Sequence, residues 1–357
     1  MDQMTETATT QSAKQRLNGL DIARFIAFAG MVIVNFKIVM VDEVGGSIFD
    51  VIPAALEGRA AATFVVLAGI GLGLAAARGL SQTVTVTIKR ALFLLVVGLL
   101  NMLVFDADIL HYYAFYFFFG VMLLPFRTKA LISTILALNL VFIVMILTLD
   151  YDAGWQWEGF IYQDFWTPSG FVRNLFFNGW HPVIPWLGFL IYGVIISRLP
   201  LDNKTIQRRL ILFGLLLVFI AEGISAVIEP RFLLIDKELA ELATTEPLPP
   251  MPLYSMAGIG IASIVVGLCL RFSDFFDEVG ITAIIAPAGR QTLTLYIAHI
   301  LVGMGTLEAL GFLGGQTIEM ALVASFLFCL MASFYAFFWS RSFKRGPIEA
   351  LMRQLAG

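Results

Sequence analysis

Leu20-Asp21-Ile22-Ala23-Arg24-Phe25-Ile26-Ala27-Phe28-Ala29-Gly30-Met31-Val32-Ile33-Val34-Asn35-Phe36 opens an apolar run that continues to Val41. A run of about 20 residues is long enough to cross a bilayer as a helix. This one carries polar residues that lipid does not tolerate. At roughly 100° per residue, Asp21, Arg24 and Asn35 fall within about 60° of one another around the axis. A charged group in hydrocarbon costs several kcal/mol, so the stripe must face a polar protein interior. That interior is the first candidate for an active or transport site.

Similar runs recur outward from this one along all 357 residues, of which 59% are hydrophobic and only 14% charged. A soluble domain carries about 25% charged residues. Ten spans are predicted, near 20–41, 60–78, 88–105, 109–126, 130–149, 182–199, 209–228, 252–271, 285–304 and 317–340. The expected fold is all-α, a polytopic integral-membrane bundle of about ten transmembrane helices. Continuous rather than alternating apolarity argues against a β-barrel. The expected organisation is a tail over 1–19, a transmembrane domain over 20–341 and a second tail over 342–357. The first 19 residues are polar and the first apolar run is full length, so no cleavable signal peptide is expected.

Basic residues fall in alternate connections: Lys14 and Arg16; Arg78, Lys89 and Arg90; Arg127 and Lys129; Arg198, Lys204, Arg208 and Arg209; Arg271 and Arg290; Arg341, Lys344, Arg345 and Arg353. The other connections are acidic, for example Asp42, Glu43 and Asp50, or Asp106 and Asp108. Excess Lys and Arg marks the cytoplasmic side, which puts both termini in the cytoplasm of a cell inner-membrane protein. The net charge of −3 says little by itself. Cys269 and Cys329 both sit in apolar runs, so neither a disulfide framework nor a metal site is expected. The expected partner is the bilayer, not nucleic acid. A homodimer is among the assemblies considered.

Two outer connections are long. Residues 150–181 are rich in aromatics, including Trp155, Trp157, Trp166 and Trp180. They read as an interfacial belt or as a sugar-stacking lid. Residues 229–251 end in Pro-Leu-Pro-Pro-Met-Pro, a stiff connector. No internal repeat is visible, whereas many transporters are built from repeats.

Several residues are candidates for chemistry. Asp21 and Arg24, three apart on one face, read as a helix-start ion pair or as a cofactor anchor. Asn35 lies roughly 16 Å further along the helix. Its amide reads as a helix–helix hydrogen bond or as a carbonyl-polarising donor. Glu57 and Arg59 open the second span as an interfacial pair or an acceptor gate. Asp108 precedes His111 by three residues, the spacing at which a carboxylate orients and charges an imidazole. His181 follows Trp180 at the outer start of the sixth span. His299 lies deep in the ninth, on one face with Thr292 and Tyr296. An ionisable residue inside the membrane is a functional candidate by default, and Glu222 in the seventh span qualifies too. Lys89, Arg90, Arg127 and Arg290 are placed to ring a phosphate-bearing ligand, although topology alone also accounts for them. No Gly-rich nucleotide loop, Gly-x-Ser-x-Gly elbow or metal-ligand spacing occurs.

Blocks along the whole chain carry a resemblance. Leu20-Asp21-Ile22-Ala23-Arg24 followed by Gly30-Met31-Val32-Ile33-Val34-Asn35 resembles the first helix of YeiB-type bacterial membrane proteins and of heparan-α-glucosaminide N-acetyltransferase. Glu57-Gly58-Arg59 leading to Phe64 and Gly69, then Gly289-Arg290 with Leu293-Thr294-Leu295-Tyr296 and His299, resemble later YeiB-type helices. Lys344-Arg345-Gly346-Pro347-Ile348-Glu349 resembles the C-terminal signature. The relationship implies a transmembrane acyltransferase that takes its acyl group from cytoplasmic acyl-CoA (acetyl-CoA) as co-substrate, without a metal. By resemblance, Asn35 holds the acyl group. The heparan enzyme also has a catalytic histidine in the outer loop that follows, whereas residues 42–58 here contain none. On this reading Asp21, Arg24, Lys89, Arg90 and Arg290 hold coenzyme A. Asn35 polarises the thioester, and His299 or His111, the latter beside Asp108, is the base. Glu57, Arg59, Trp180, His181 and Tyr296 meet the implied partner, a small-molecule or glycan acceptor. The alternative is a transporter working through the same cavity, with Glu222, His299 and Asp21 as proton or substrate sites.

Overall fold

The computed structural model describes residues 17–42 and 46–357. Lys14, Arg16, Glu43 and most of the N-terminal tail lie outside the described residues. The chain folds as α1 (Asn18–Met40), α2 (Val51–Leu56), α3 (Arg59–Ala76), α4 (Leu80–Asn101), α5 (Leu110–Leu123) and α6 (Thr128–Thr148). A two-stranded hairpin follows, β1 (Trp155–Gln156) against β2 (Ile161–Tyr162), then α7 (Pro168–Arg173) and α8 (Val183–Ile196). After α9 (Lys204–Leu233) and the short α10 (Lys237–Glu241) come α11 (Pro252–Arg271), α12 (Ser273–Glu278) and α13 (Ile281–Arg290). The chain ends with α14 (Thr292–Ala298), a π-helical turn over His299–Met304, α15 (Gly305–Ala309), α16 (Ile318–Ser342) and α17 (Pro347–Ala356).

The protein is an all-α polytopic membrane bundle. Every one of the ten expected spans contains helix, but they are unequal. Among the described residues, eight helical stretches are long and apolar enough to cross a membrane on their own. The sixth, α8, reaches membrane length only together with Pro168–Asn178, from which it is bent by 51°, the shape of a broken span or a re-entrant loop. The fourth, α5, has 14 residues, about 21 Å of rise against a hydrocarbon core of about 30 Å. Helix ends at membrane depth expose unpaired backbone groups, which is tolerated only inside protein or against a polar cavity. The short helices therefore mark where the cavity must be.

α1 packs against α3, α11, α13 and α16, which explains why its polar stripe survives. α6 and α9 lie at the periphery, with Leu136, Leu140, Leu216 and Phe219 exposed as a lipid-facing surface requires. Gly289 allows α13 to approach α1: a Cβ there would lie 1.8 Å from the Asp21 carbonyl oxygen. Gly289→Ala should therefore push the two helices apart and destabilise the fold by about 1–3 kcal/mol. A lowered unfolding midpoint in detergent would show it, and an unchanged midpoint would refute the close approach. Gly58, between α2 and α3, has φ +66°, and a Cβ there would meet Pro247 at 2.5 Å, so the turn into α3 needs glycine.

Candidate active site

Two cavities flank the middle of α1. With the side of the bundle rich in Lys and Arg taken as inner, the inner one, about 390 Å³, is walled by Arg24 from α1, Arg90 from α4, Tyr113 from α5, Arg290 at the end of α13 and Glu349 from α17. Arg24 Nη1 donates to Asp21 Oδ1 at 2.6 Å, with Asp21 buried, so part of the α1 stripe is indeed an ion pair. Arg90 Nε and Tyr113 Oη are buried and have no hydrogen-bond partner among the described residues. Buried polar groups are normally paired, so orphan donors on a cavity wall call for a ligand. Lys89, one residue away, is exposed and does not line the cavity. Glu349 points the other way. Its Oε1 accepts from the backbone N–H groups of Leu293 and Thr294 at 2.8 and 3.0 Å, and its Oε2 from the Thr294 hydroxyl. The C-terminal helix thus caps α14, the helix that carries Tyr296.

The outer cavity, about 60 Å³, has room for a few waters. Asn35, Glu57, Trp180, His181, Trp186 and Tyr296 line it, together with aliphatic side chains of α1 and α3. Trp180 Nε1, His181 Nδ1 and Trp186 Nε1 are buried without hydrogen-bond partners. Asn35 Nδ2 lies 3.0 Å from His299 Nε2. His299 Nδ1 contacts the Tyr296 carbonyl oxygen, which can only accept, so Nδ1 carries the ring proton. Nε2 therefore accepts from Asn35, and Asn35 keeps a second amide N–H. His299 is fully buried among the rings of Phe28, Tyr296 and Phe328 and does not itself line the cavity.

Ile109 and Tyr296 line both cavities and form the septum between them. Tyr296 Oη accepts from the Ile109 N–H at 3.2 Å and donates to Asp108 Oδ1 at 3.3 Å. Asp108 is fully buried. It also accepts from Asn101 Nδ2 at 2.6 Å and from the Leu110 N–H at 2.8 Å, capping the short helix α5. His111 Nδ1 is 3.5 Å from Asp108 Oδ2 without a hydrogen bond, and neither ring nitrogen has a partner among the described residues. His111 lines neither cavity.

Charged pairs brace the outer mouth. Lys37 Nζ donates to Glu57 Oε2 at 3.0 Å, and Arg59 Nη2 donates to Glu222 Oε1 at 2.8 Å and to Thr245 Oγ1 at 2.9 Å. Arg59 and Glu222 stand outside the outer cavity wall. The aromatic loop spends most of its ring faces on itself: Trp155 stacks on Trp157 at 4.6 Å and meets Trp180 edge-on at 5.6 Å. Burial raises the pKa of Tyr162, against the hydrogen bond from Arg173, and keeps a neutral phenol donating to Asn178. Of the Trp residues in this loop only Trp180 reaches the cavity.

Sequence reasoning passed over Lys37, Asn101, Tyr113 and Trp186. Lys37 had a signal, a cation two residues past Asn35 inside the first span. Tyr113 and Trp186 had none, because an aromatic residue in an apolar run reads as core.

Comparison with known families decides the lineage. Residues 16–221, well over half of the chain, match the family described as heparan-alpha-glucosaminide N-acetyltransferase, catalytic. The chain belongs to this acetyltransferase family. Residues 196–357 match a second family, described as a protein of unknown function, DUF418, which is the YeiB type. The acetyltransferase match includes α1, α3, α4, α5 and α8, and so Asn35, Arg24, Arg90, Asp108 and His181. The YeiB-type match includes α14 and α17, with Tyr296, His299 and Glu349. Both resemblances read from the motifs are borne out, and the transporter reading gains no support from either match. No curated protein and no solved structure matches the chain.

Proposed function

We propose that the protein transfers an acyl group, acetyl in the simplest case, from cytoplasmic acyl-CoA to a hydroxyl or amine on a small molecule or glycan at the outer face of the cell inner membrane. The observation that carries this reading is the pair of cavities, one walled by arginines and one by indoles, meeting at Tyr296 and Ile109. The catalytic family of an N-acetyltransferase points the same way.

Arg24, Arg90 and Arg290 hold the phosphates of coenzyme A through charge-assisted hydrogen bonds. The face of α1 between Arg24 and Asn35 guides the acyl arm toward the septum. Asn35 gives its second amide N–H to the thioester oxygen, as an oxyanion-hole donor does. His299 is a positioning residue that fixes the Asn35 amide. His181 is the base, because it lines the cavity with an unpartnered ring nitrogen, whereas His111 and His299 do not line it. Trp180 and Trp186 donate their indole N–H groups to oxygens of the acceptor. His181 takes the acceptor proton as the acceptor oxygen or nitrogen bonds to the carbonyl carbon and the C–S bond breaks. That proton ends on the coenzyme A sulfur, so the products are acylated acceptor and free thiol.

The test uses purified protein in nanodiscs with labelled acetyl-CoA, reading binding and the slow hydrolysis that occurs when water is the acceptor. The wild type should bind and hydrolyse it. His181→Ala should keep binding and lose about 10²- to 10⁴-fold in turnover. A wild-type protein that does not bind acetyl-CoA overturns the reading. A fully active His181→Ala variant removes the base assignment alone.

A further inference from the structure

Tyr113 stands on the wall of the inner cavity with its hydroxyl unspent. The residue is only 4% exposed, and Tyr113 Oη has no hydrogen-bond partner among the described residues. Several polar neighbours on that wall are already committed. Tyr296 gives its hydroxyl to Asp108 and receives the Ile109 N–H. Arg24 is paired with Asp21, and Glu349 is turned to the backbone of α14. The Tyr113 ring is held between Phe64 of α3 and Phe117 of α5, with ring centroids 6.0 and 5.9 Å away. A buried hydroxyl is normally paired, so this one marks the place of a group that the cavity receives.

Its position identifies that group. The Tyr113 N–H bonds to the Ile109 carbonyl at 3.1 Å. Tyr113 therefore lies one turn of α5, about 5.4 Å, from the septum. Phe117 follows one turn further on, and Phe64, Leu67 and Leu94 make the surrounding wall apolar. A thioester drawn up to the septum from the arginines lays its pantetheine arm along this stretch. In that arm, two methylene groups and an amide nitrogen separate the sulfur from the first amide carbonyl, a distance of about 5 Å when extended. The hydroxyl of Tyr113 thus stands as far from the septum as this carbonyl stands from the sulfur. An amide carbonyl among apolar side chains needs a donor, and a phenol supplies one.

We propose that Tyr113 reads the pantetheine arm, donating its hydroxyl to the amide carbonyl nearest the thioester and so setting how far the thioester reaches toward Asn35. The inference rests on the acyl-CoA reading above. It adds a contact for the arm, where that reading has contacts for the phosphates and the thioester.

The experiment compares wild type with Tyr113→Phe, which keeps the ring and its packing, as full-length protein in nanodiscs. The ligands are acetyl-CoA and 3′-phospho-ADP, the part of coenzyme A without the arm. The variant should bind acetyl-CoA about threefold to tenfold more weakly, the scale of one neutral hydrogen bond, and 3′-phospho-ADP as well as the wild type does. Equal weakening of both, or no change in either, overturns the contact while the acyl-CoA reading stands. A wild type that does not bind acetyl-CoA overturns that reading as well. The unfolding midpoint without ligand should not fall, because the hydroxyl removed has no partner; a lowered midpoint means that it bonds within the protein, and overturns the proposal. A second arm fixes the register with small donors. S-acetyl-N-acetylcysteamine keeps only the thioester and the nearest amide, and S-butyl thioacetate lacks the amide. The wild type should hydrolyse the first faster, and the variant should lose that advantage. If the variant keeps it, the assignment to the nearest amide is refuted.

Discussion

Asn35→Ala lowers acyl-transfer turnover by about 10²- to 10³-fold, the loss measured when one donor to a developing oxyanion is removed. The affinity for acyl-CoA should not change, because the arginines proposed to hold its phosphates line the other cavity. The separation follows from geometry: Arg24 lines the inner cavity and Asn35 the outer. A contact made chiefly with charge that builds up during reaction changes kcat and leaves binding alone. His299→Gln is the informative companion. It removes the ring that fixes Asn35 but spares the amide, so the expected loss is smaller, about tenfold to a hundredfold. If Asn35→Ala weakens acyl-CoA binding and leaves single-turnover transfer unchanged, Asn35 is a packing residue and the assignment fails.

Asp108→Ala has the largest expected effect on stability. The fully buried carboxylate receives the Asn101 amide, the Leu110 N–H and the Tyr296 hydroxyl. Alanine leaves these donors without an acceptor, and each buried unsatisfied group costs about 1–3 kcal/mol. A loss of several kcal/mol is a large share of the stability of a folded protein, typically about 5–15 kcal/mol. The unfolding midpoint in detergent should fall sharply. Tyr296→Phe is milder and tests the septum directly. It frees the Ile109 N–H and removes the bond to Asp108, which loosens the wall between the cavities. Hydrolysis of acetyl-CoA should then rise relative to transfer, as water reaches the thioester. An unchanged midpoint for Asp108→Ala, or an unchanged hydrolysis ratio for Tyr296→Phe, would sink the septum as described.

The Asp21–Arg24 pair at one end of the candidate site was legible from the chain. Asp21 and Arg24 are neighbours on one helix turn, and helical spacing is enough to pair them. The arrangement around the other cavity was not. Asp108 and His111 have the spacing of an oriented imidazole, yet Asp108 precedes α5 instead of lying within it. From there its carboxylate turns to the first N–H groups of the helix and to Asn101. The outer-mouth pair Arg59–Glu222 joins residues 163 positions apart, and Asn35–His299 joins residues 264 apart. No local pattern encodes such distances.

What the sequence by itself determined is that the chain is an all-α bundle of membrane helices and that the first of them has a polar face. Apolar run length and the penalty for charge in lipid are local properties that need no partner. The tertiary structure alone decided that this face is divided. α5 and α8 stop short inside the bundle, and the backbone breaks again between α13 and α14 at Gln291. Backbone groups freed at membrane depth must find partners in protein or in a cavity. At the start of α5 they are the N–H groups of Ile109 and Leu110, taken by Tyr296 and Asp108, and Ile109 and Tyr296 stand between the two cavities.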